Sequence, residues 1–187
     1  MATGFHPPGL PASAPPVGAD GAVAFSAAAA AEIARIRQRY PTALAALIPT
    51  LFVAQREFGW LPDEVLELVA TTLGVPATKV RSTATFYTML KKEPTGRVHV
   101  QVCKNISCYL RRSDDVTAAW EDELGIACGE TTDDGEFTLS EVECLAACGR
   151  APVVQINEEY HEWQTPETTR ALAQGLRREA ATRGGRS

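Results

Sequence analysis

The chain has 187 residues, of which 45% are hydrophobic, and its net charge is -5 at neutral pH. This length suits one ordinary domain or two small ones with an apolar core. The acidic balance excludes the basic surface that nucleic acid or anionic lipid requires, so no nucleic-acid partner is expected.

The apolar windows of the chain are too short for a membrane span. The best one, Ala43 to Ala54, is well below the roughly 18 residues that a span needs, and it contains Pro49. No basic residue precedes Arg35, which excludes a secretory signal and an Arg-rich targeting peptide. We therefore expect a cytoplasmic protein without direct membrane insertion, in which a disulfide framework is not favoured.

The N-terminal half predicts a tail followed by helices. Residues 1–25 are rich in Pro, Gly and Ala, which is typical of a disordered tail. Four helices are predicted after it, each bounded by a capping residue, proline or glycine: Ser26 to Tyr40, Leu44 to Phe58, Pro62 to Leu73 and Pro76 to Leu90. We assign residues 26–92 to a helical domain. Phe86, a large aromatic, suits either an interface or the core, and its helical spacing favours the core.

The pattern changes at Gly96. Val98, Val100 and Val102 alternate with polar residues, which predicts a half-buried strand ending at Cys103, with His99 facing solvent. The segments that follow are a helix capped by Ser113, a strand from Phe137 to Val142, a hairpin from Pro152 to Trp163 and a helix opened by Pro166. Residues 97–180 are thus predicted to form an α/β domain, with a flexible C-terminus at 181–187.

Four of the five cysteines form two close pairs, and each pair follows the end of a predicted strand. The pairs are Cys103 with Cys108 and Cys144 with Cys148. If the two strands are parallel neighbours, the four thiolates meet at one edge of the sheet. Four thiolates suit either zinc or an iron–sulfur cluster, and spacing alone leaves both open. Cys128 lies outside both pairs and is interpreted as a partly buried free thiol.

The segments around these cysteines carry a resemblance to a known family. VQVCKNISC (100–108), ECLAACG (143–149) and APVVQIN (151–157) resemble the thioredoxin-like 2Fe-2S ferredoxins. More narrowly, they resemble the small iron–sulfur subunits (the E subunits) of the NADH dehydrogenase module of respiratory complex I. Residues 55–61, 73–76 and 84–90 are similar to the helical domain of those subunits, so the resemblance covers about residues 40 to 180.

The resemblance implies a fold, a cofactor and partners. The fold would be α+β, an N-terminal helical bundle followed by a thioredoxin-like α/β ferredoxin domain. One 2Fe-2S cluster would be bound by Cys103, Cys108, Cys144 and Cys148. The partners would be a subunit that binds FMN and NADH and further peripheral-arm subunits, assembled at the cytoplasmic face of the inner membrane. The chain has no Gly-rich dinucleotide motif, so we place the NADH site on the partner and assign no catalytic residue here.

The implied function is electron transfer within NADH:quinone oxidoreductase, with this chain accepting single electrons from the partner's FMN. One alternative is the equivalent subunit of an NAD-linked hydrogenase or formate dehydrogenase. Another, of a different class, is an assembly module without redox function that is held together by zinc.

Overall fold

A computed structural model describes residues 23–184, which form two compact units divided between Thr95 and Gly96. Most of the predicted tail, residues 1–22, lies outside the described residues, as do residues 185–187. Within the last part of that tail, the Phe25 ring packs against the Phe58 ring with centroids 5.5 Å apart. Packing in the N-terminal unit therefore begins before Ser26.

Four helices make up the described part of the N-terminal unit. They are α1 (Ala27–Arg39), α2 (Leu47–Phe58), α3 (Asp63–Leu73) and α4 (Ala77–Phe86). The Ser26 hydroxyl accepts the Ala29 N–H at 3.2 Å and so caps α1 as predicted. Pro49 lies in the first turn of α2, where its missing N–H costs no helical hydrogen bond. The core contains the apolar faces of all four helices, including Ile33, Leu51, Val69 and Val80.

The fourth helix is shorter than predicted, and the placement of Phe86 in the core was wrong. Helix α4 ends at Phe86, whose side chain is 77% exposed, and Tyr87 is extended. The reason is tertiary: the Lys91 N–H donates to the Gln55 side chain, and the Lys91 carbonyl accepts the Leu61 N–H at 2.7 Å. These bonds draw the chain back across the unit and bury Leu90, which a continued helix would prevent.

The C-terminal unit is a mixed sheet with helices. Its strands are β1 (Val98–Cys103), β2 (Phe137–Val142), β3 (Val154–Ile156) and β4 (Glu159–His161), in the order β2-β1-β3-β4. Strand β1 is parallel to β2 and antiparallel to β3, and β3 and β4 form the predicted hairpin. The helices are α5 (Ile106–Leu110), α6 (Ser113–Leu124) and α7 (Pro166–Gly184).

The core of this unit lies between the sheet and the helices α6 and α7. Val100 and Leu139 are fully buried on adjacent strands, and Trp120 of α6 and Ala173 of α7 belong to the same apolar cluster. Four helices followed by a mixed sheet with packed helices confirm the predicted α+β class. Among the described residues, no helix is long and apolar enough to cross a membrane.

Three local predictions for this unit need correction. His99 is only 8% exposed rather than facing solvent: β1 is an inner strand, and the His99 Nε2 lies 2.6 Å from the Ser140 hydroxyl on the neighbouring strand β2. Ser113 is the first residue of α6 and not its cap; Arg112, with a left-handed backbone, precedes it. The short helix α5, between the first two cysteines and α6, was not predicted.

Candidate metal centre

Parallel pairing brings the ends of β1 and β2 together at one edge of the sheet. Cys103, the last residue of β1, pairs with Val142, the last residue of β2, and Cys144 follows two residues later. The Lys104 N–H donates to the Val142 carbonyl at 3.0 Å, which continues the pairing beyond the strand. The condition set by the sequence, that the two strands be parallel neighbours, is met.

The first cysteine pair is buried beneath this edge. Cys103 and Cys108 are each 3% exposed and pack with Leu145, Ala151 and Val153. Cys103 is fixed by its strand, and its N–H donates to the Val153 carbonyl at 3.1 Å. Cys108 is positioned by α5, of which it is the single buried residue. Helix α5 thus turns the Cys108 thiol back under the end of β1.

The second pair lies on a tight, exposed loop. Cys144 and Cys148 are both free and exposed. Between them Ala146 takes a left-handed backbone, φ 58°, and its N–H donates to the Cys144 sulfur at 3.3 Å. Cys148 then opens a 3-10 turn, Cys148–Arg150, that contacts α5. A sulfur that accepts a backbone N–H is the arrangement that stabilises a thiolate ligand.

The thiols of this edge influence one another electrostatically. Burial, a hydrogen bond with Cys103 and the nearby Cys103 and Cys148 sulfurs raise the pKa of Cys108 to about 11, against the opposing effect of the Val153 N–H. Three of the four predicted ligands are therefore close enough to interact, and the Sγ of Cys103 lies 3.9 Å from the carbonyl of Glu143, the residue before Cys144. A bound metal reverses this effect, because ligation requires thiolates.

The donor set fits a two-iron cluster in its chemistry. It consists of four free thiols, two from each cysteine pair, in the two segments that follow β1 and β2 at one edge of the sheet. Within residues 23–184, no three His, Cys, Asp or Glu side chains are already grouped tightly enough to hold one metal ion. A 2Fe-2S cluster takes two thiolates on each iron, which matches the division of these ligands into two pairs.

Cys128 packs against a different apolar cluster from the first cysteine pair, although its thiol also lies beside Glu141, near the end of β2, and Lys104, just after β1. It follows α6, packs against the core between sheet and helices, and its N–H donates to Glu121 at 2.9 Å. The buried pair Cys103 and Cys108 belongs to a separate apolar cluster. The interpretation of Cys128 as a partly buried free thiol agrees with its half-buried position.

The sequence model for thioredoxin-like [2Fe-2S] ferredoxins matches residues 33–177, which cover both units and all four paired cysteines. The chain belongs to this ferredoxin family. The predicted family is thereby confirmed, and the presence of a 2Fe-2S cluster follows from the family's definition.

Two relatives narrow the comparison. The E 2 subunit of NADH-quinone oxidoreductase from Rhizobium meliloti (strain 1021) is 51% identical over 130 residues, which is 70% of this chain and 77% of the relative. The E subunit of the same enzyme from Rickettsia bellii (strain RML369-C) is 47% identical over 133 residues, 71% of this chain and 80% of the relative. The narrower resemblance, to the E subunits, is therefore confirmed as well.

Among solved structures, the fold is similar to that of an NAD+-reducing [NiFe]-hydrogenase in the H2-reduced state. The TM-score is 0.64 at 19% identity, over 74% of this chain and 23% of that much longer chain. At this identity the likeness establishes the fold alone.

Sequence reasoning identified the four cysteines but not the groups that orient them. The Ala146 and Val153 N–H groups point at sulfurs, and both are backbone groups that no side-chain pattern reveals. Ala146 tolerates a left-handed backbone poorly, so its conformation carries a strain that the short loop imposes.

Proposed function

We propose that this chain is the electron-carrying E subunit of an NADH:quinone oxidoreductase, and that Cys103, Cys108, Cys144 and Cys148 bind its single 2Fe-2S cluster. The observation that carries the proposal is that the two cysteine pairs follow the ends of β1 and β2, which are parallel neighbours. Family membership and two relatives of about half-identical sequence support the same function.

The residues of the chain would act as a holder for the cluster. A bound 2Fe-2S cluster supplies a one-electron redox couple. The burial of Cys103 and Cys108 excludes water from one side of the site, whereas Cys144 and Cys148 lie on the exposed side. The Ala146 and Val153 N–H groups donate to sulfurs and so favour the more negative, reduced state. In this assignment the chain would carry electrons, and the partner would perform the hydride chemistry.

The partners follow from this function. A subunit that binds FMN and NADH would donate the electrons, and further peripheral-arm subunits would complete the assembly. Through them the chain would sit at the cytoplasmic face of the inner membrane. The relatives favour a quinone-reducing complex over a hydrogenase, because the two E subunits are 47–51% identical to this chain and the hydrogenase is 19% identical.

The test is anaerobic purification of the chain, followed by metal and sulfide analysis. We expect a brown protein with two irons and two labile sulfides for each chain. Addition of the flavin- and NADH-binding subunit with NADH should then bleach the visible absorption. A colourless protein with one zinc would contradict the cluster, and a brown protein that NADH and the partner do not reduce would contradict the assignment to this complex.

A further inference from the structure

Helix α5 exposes most of its apolar side chains to solvent. Ile106, Tyr109 and Leu110 are 70%, 59% and 74% exposed, while Cys108 faces inward. Positions i, i+3 and i+4 lie on one face of a helix, so these three side chains form a continuous apolar surface. The packing of this unit does not explain why these side chains face water. A contiguous apolar patch on a protein surface is typical of an interaction site.

Trp163 extends this surface from the other side of the cysteine loops. It is 53% exposed, and its indole ring lies 5.4 Å from the guanidinium carbon of Arg111, the residue after α5. Its backbone is left-handed, φ 54°, and is held there by an N–H bond to the Arg150 carbonyl at 2.9 Å. A bulky residue held in this conformation is preorganised at a cost that core packing does not explain.

The cationic side chains around this surface differ in whether they are paired with a carboxylate. Lys104 pairs with Glu141, Arg112 with Asp115 and Arg150 with Glu162. Within residues 23–184, Arg111 has no carboxylate partner and contacts the Trp163 ring instead. The surface therefore offers an apolar face with one cation free to meet a carboxylate. We call Ile106, Tyr109, Leu110, Arg111 and Trp163 the α5 patch.

We propose that the α5 patch is the docking surface for the electron-donating partner, which would present an apolar pocket flanked by a carboxylate that faces Arg111. This inference rests on the proposed function and specifies its partner contact. The patch flanks the site that the partner must approach, since α5 carries Cys108 and contacts the turn that begins at Cys148. Tryptophan, tyrosine and arginine, three of its five members, are the residues that most often dominate binding energy at interfaces.

The experiment measures binding of the purified, cluster-loaded chain to the purified flavin- and NADH-binding subunit from the same source. Leu110→Glu should weaken the affinity about 30-fold, the level of an interface hot spot. The matched control is Leu44→Glu, because Leu44 is also an exposed leucine, at 53%, and lies in the other unit. It should bind within about twofold of wild type, which is the usual outcome outside a hot spot.

A charge series tests the electrostatic part of the inference. Arg111→Glu should weaken binding more than Arg111→Gln, because it places a carboxylate against a carboxylate. Arg178→Glu, at an exposed position on α7, should leave the affinity unchanged. Iron content and the visible spectrum are measured for every variant. All should retain the wild-type cluster, since none of these side chains is buried.

Other results overturn the inference. Wild-type affinity in Leu110→Glu and Arg111→Glu would show that the partner binds elsewhere. The wild-type chain could also self-associate in sedimentation. If Leu110→Glu abolishes that self-association but leaves the affinity for the partner unchanged, the patch binds a second copy of the chain. Failure of the proposed function is seen separately, as a wild-type chain without iron and sulfide.

Discussion

Substitution of Gly96, which lies just before β1, tests how closely the chain approaches β2 at the start of the two strands that carry the candidate site. An alanine Cβ at this position would lie 2.5 Å from the Phe137 carbonyl carbon and 2.8 Å from the Thr138 nitrogen. Both are backbone atoms of β2, so the segment before β1 and the start of β2 would have to separate by about 0.9 Å to reach ordinary contact at 3.4 Å. That movement also stretches the hydrogen bond from the Gly96 N–H to the Thr138 hydroxyl, now 2.6 Å.

The expected cost of Gly96→Ala is about 2 to 4 kcal/mol in the free energy of unfolding of the C-terminal unit. Overpacking accounts for about 1 to 3 kcal/mol, and the weakened hydrogen bond for about 1 kcal/mol. In a domain of this size, 1 kcal/mol corresponds to about 4 to 8 °C in Tm, so we expect Tm to fall by about 8 to 32 °C. Gly175→Ala is the control: its Cβ meets only the Arg178 side chain, at 3.9 Å, inside α7.

The assay is thermal loss of the visible absorption of the cluster under argon. It reports on the C-terminal unit because all four candidate ligands lie there. Gly175→Ala should raise Tm by about 4 to 8 °C, because alanine favours the helix by about 1 kcal/mol over glycine. If Gly96→Ala has the same Tm as wild type while Gly175→Ala has a higher Tm, the close contact between the segment before β1 and strand β2 is refuted.

Two further predictions concern the helical unit and are measured by urea unfolding followed by far-UV circular dichroism. Burial lowers the pKa of Lys91 from 10.5 to about 8, and the neighbouring Lys92 adds to the effect. Between these two pH values the unfolded chain therefore binds more protons than the folded chain. The free energy of unfolding should rise from pH 8 to 10.5 by about 1 to 3 kcal/mol relative to Lys91→Met. Parallel pH profiles for the two proteins would contradict a buried amine. Removal of the α1 cap by Ser26→Ala should cost about 1 kcal/mol, and Ser26→Gly only a few tenths; equal stability of Ser26→Ala and wild type would contradict the cap.

Signals that are local in the sequence predicted the fold well. Strand β2 spans the predicted residues, Phe137 to Val142, and helix α3 ends at Leu73 as predicted, followed by Gly74 with a left-handed backbone. Ser26, Pro62 and Pro166 marked the starts of three helices in the same way. Local signals suffice at these positions because the backbone conformation depends on the residue itself and its immediate neighbours.

Features that depend on distant contacts were not predicted. Phe86 has helical spacing suited to the core, but the hydrogen bonds of Lys91 end α4 early and leave the ring in solvent. His99 looked exposed in an alternating strand, yet β1 lies between β2 and β3, and the His99 ring is buried against the Ser140 hydroxyl of β2. Helix α5 spans five residues, too few for a periodic pattern to identify.

The same distinction between local signals and distant contacts applies to the candidate site. The spacing of the cysteines pointed to the ligand set, and the resemblance of the surrounding segments pointed to the cluster. The N–H groups of Ala146 and Val153 and the apolar face of α5 depend on how the loops fold over the sheet edge. No residue pattern within these loops encodes that arrangement.

The central claim is that two cysteine pairs hold one 2Fe-2S cluster and that the fifth cysteine does not. The most direct measurement is electron paramagnetic resonance of the dithionite-reduced protein, comparing Cys144→Ser with Cys128→Ser. We predict that Cys144→Ser loses or strongly alters the signal of the reduced cluster, whereas Cys128→Ser retains the wild-type spectrum and iron content. Equal loss in both variants, or an unchanged spectrum in Cys144→Ser, would contradict the ligand assignment.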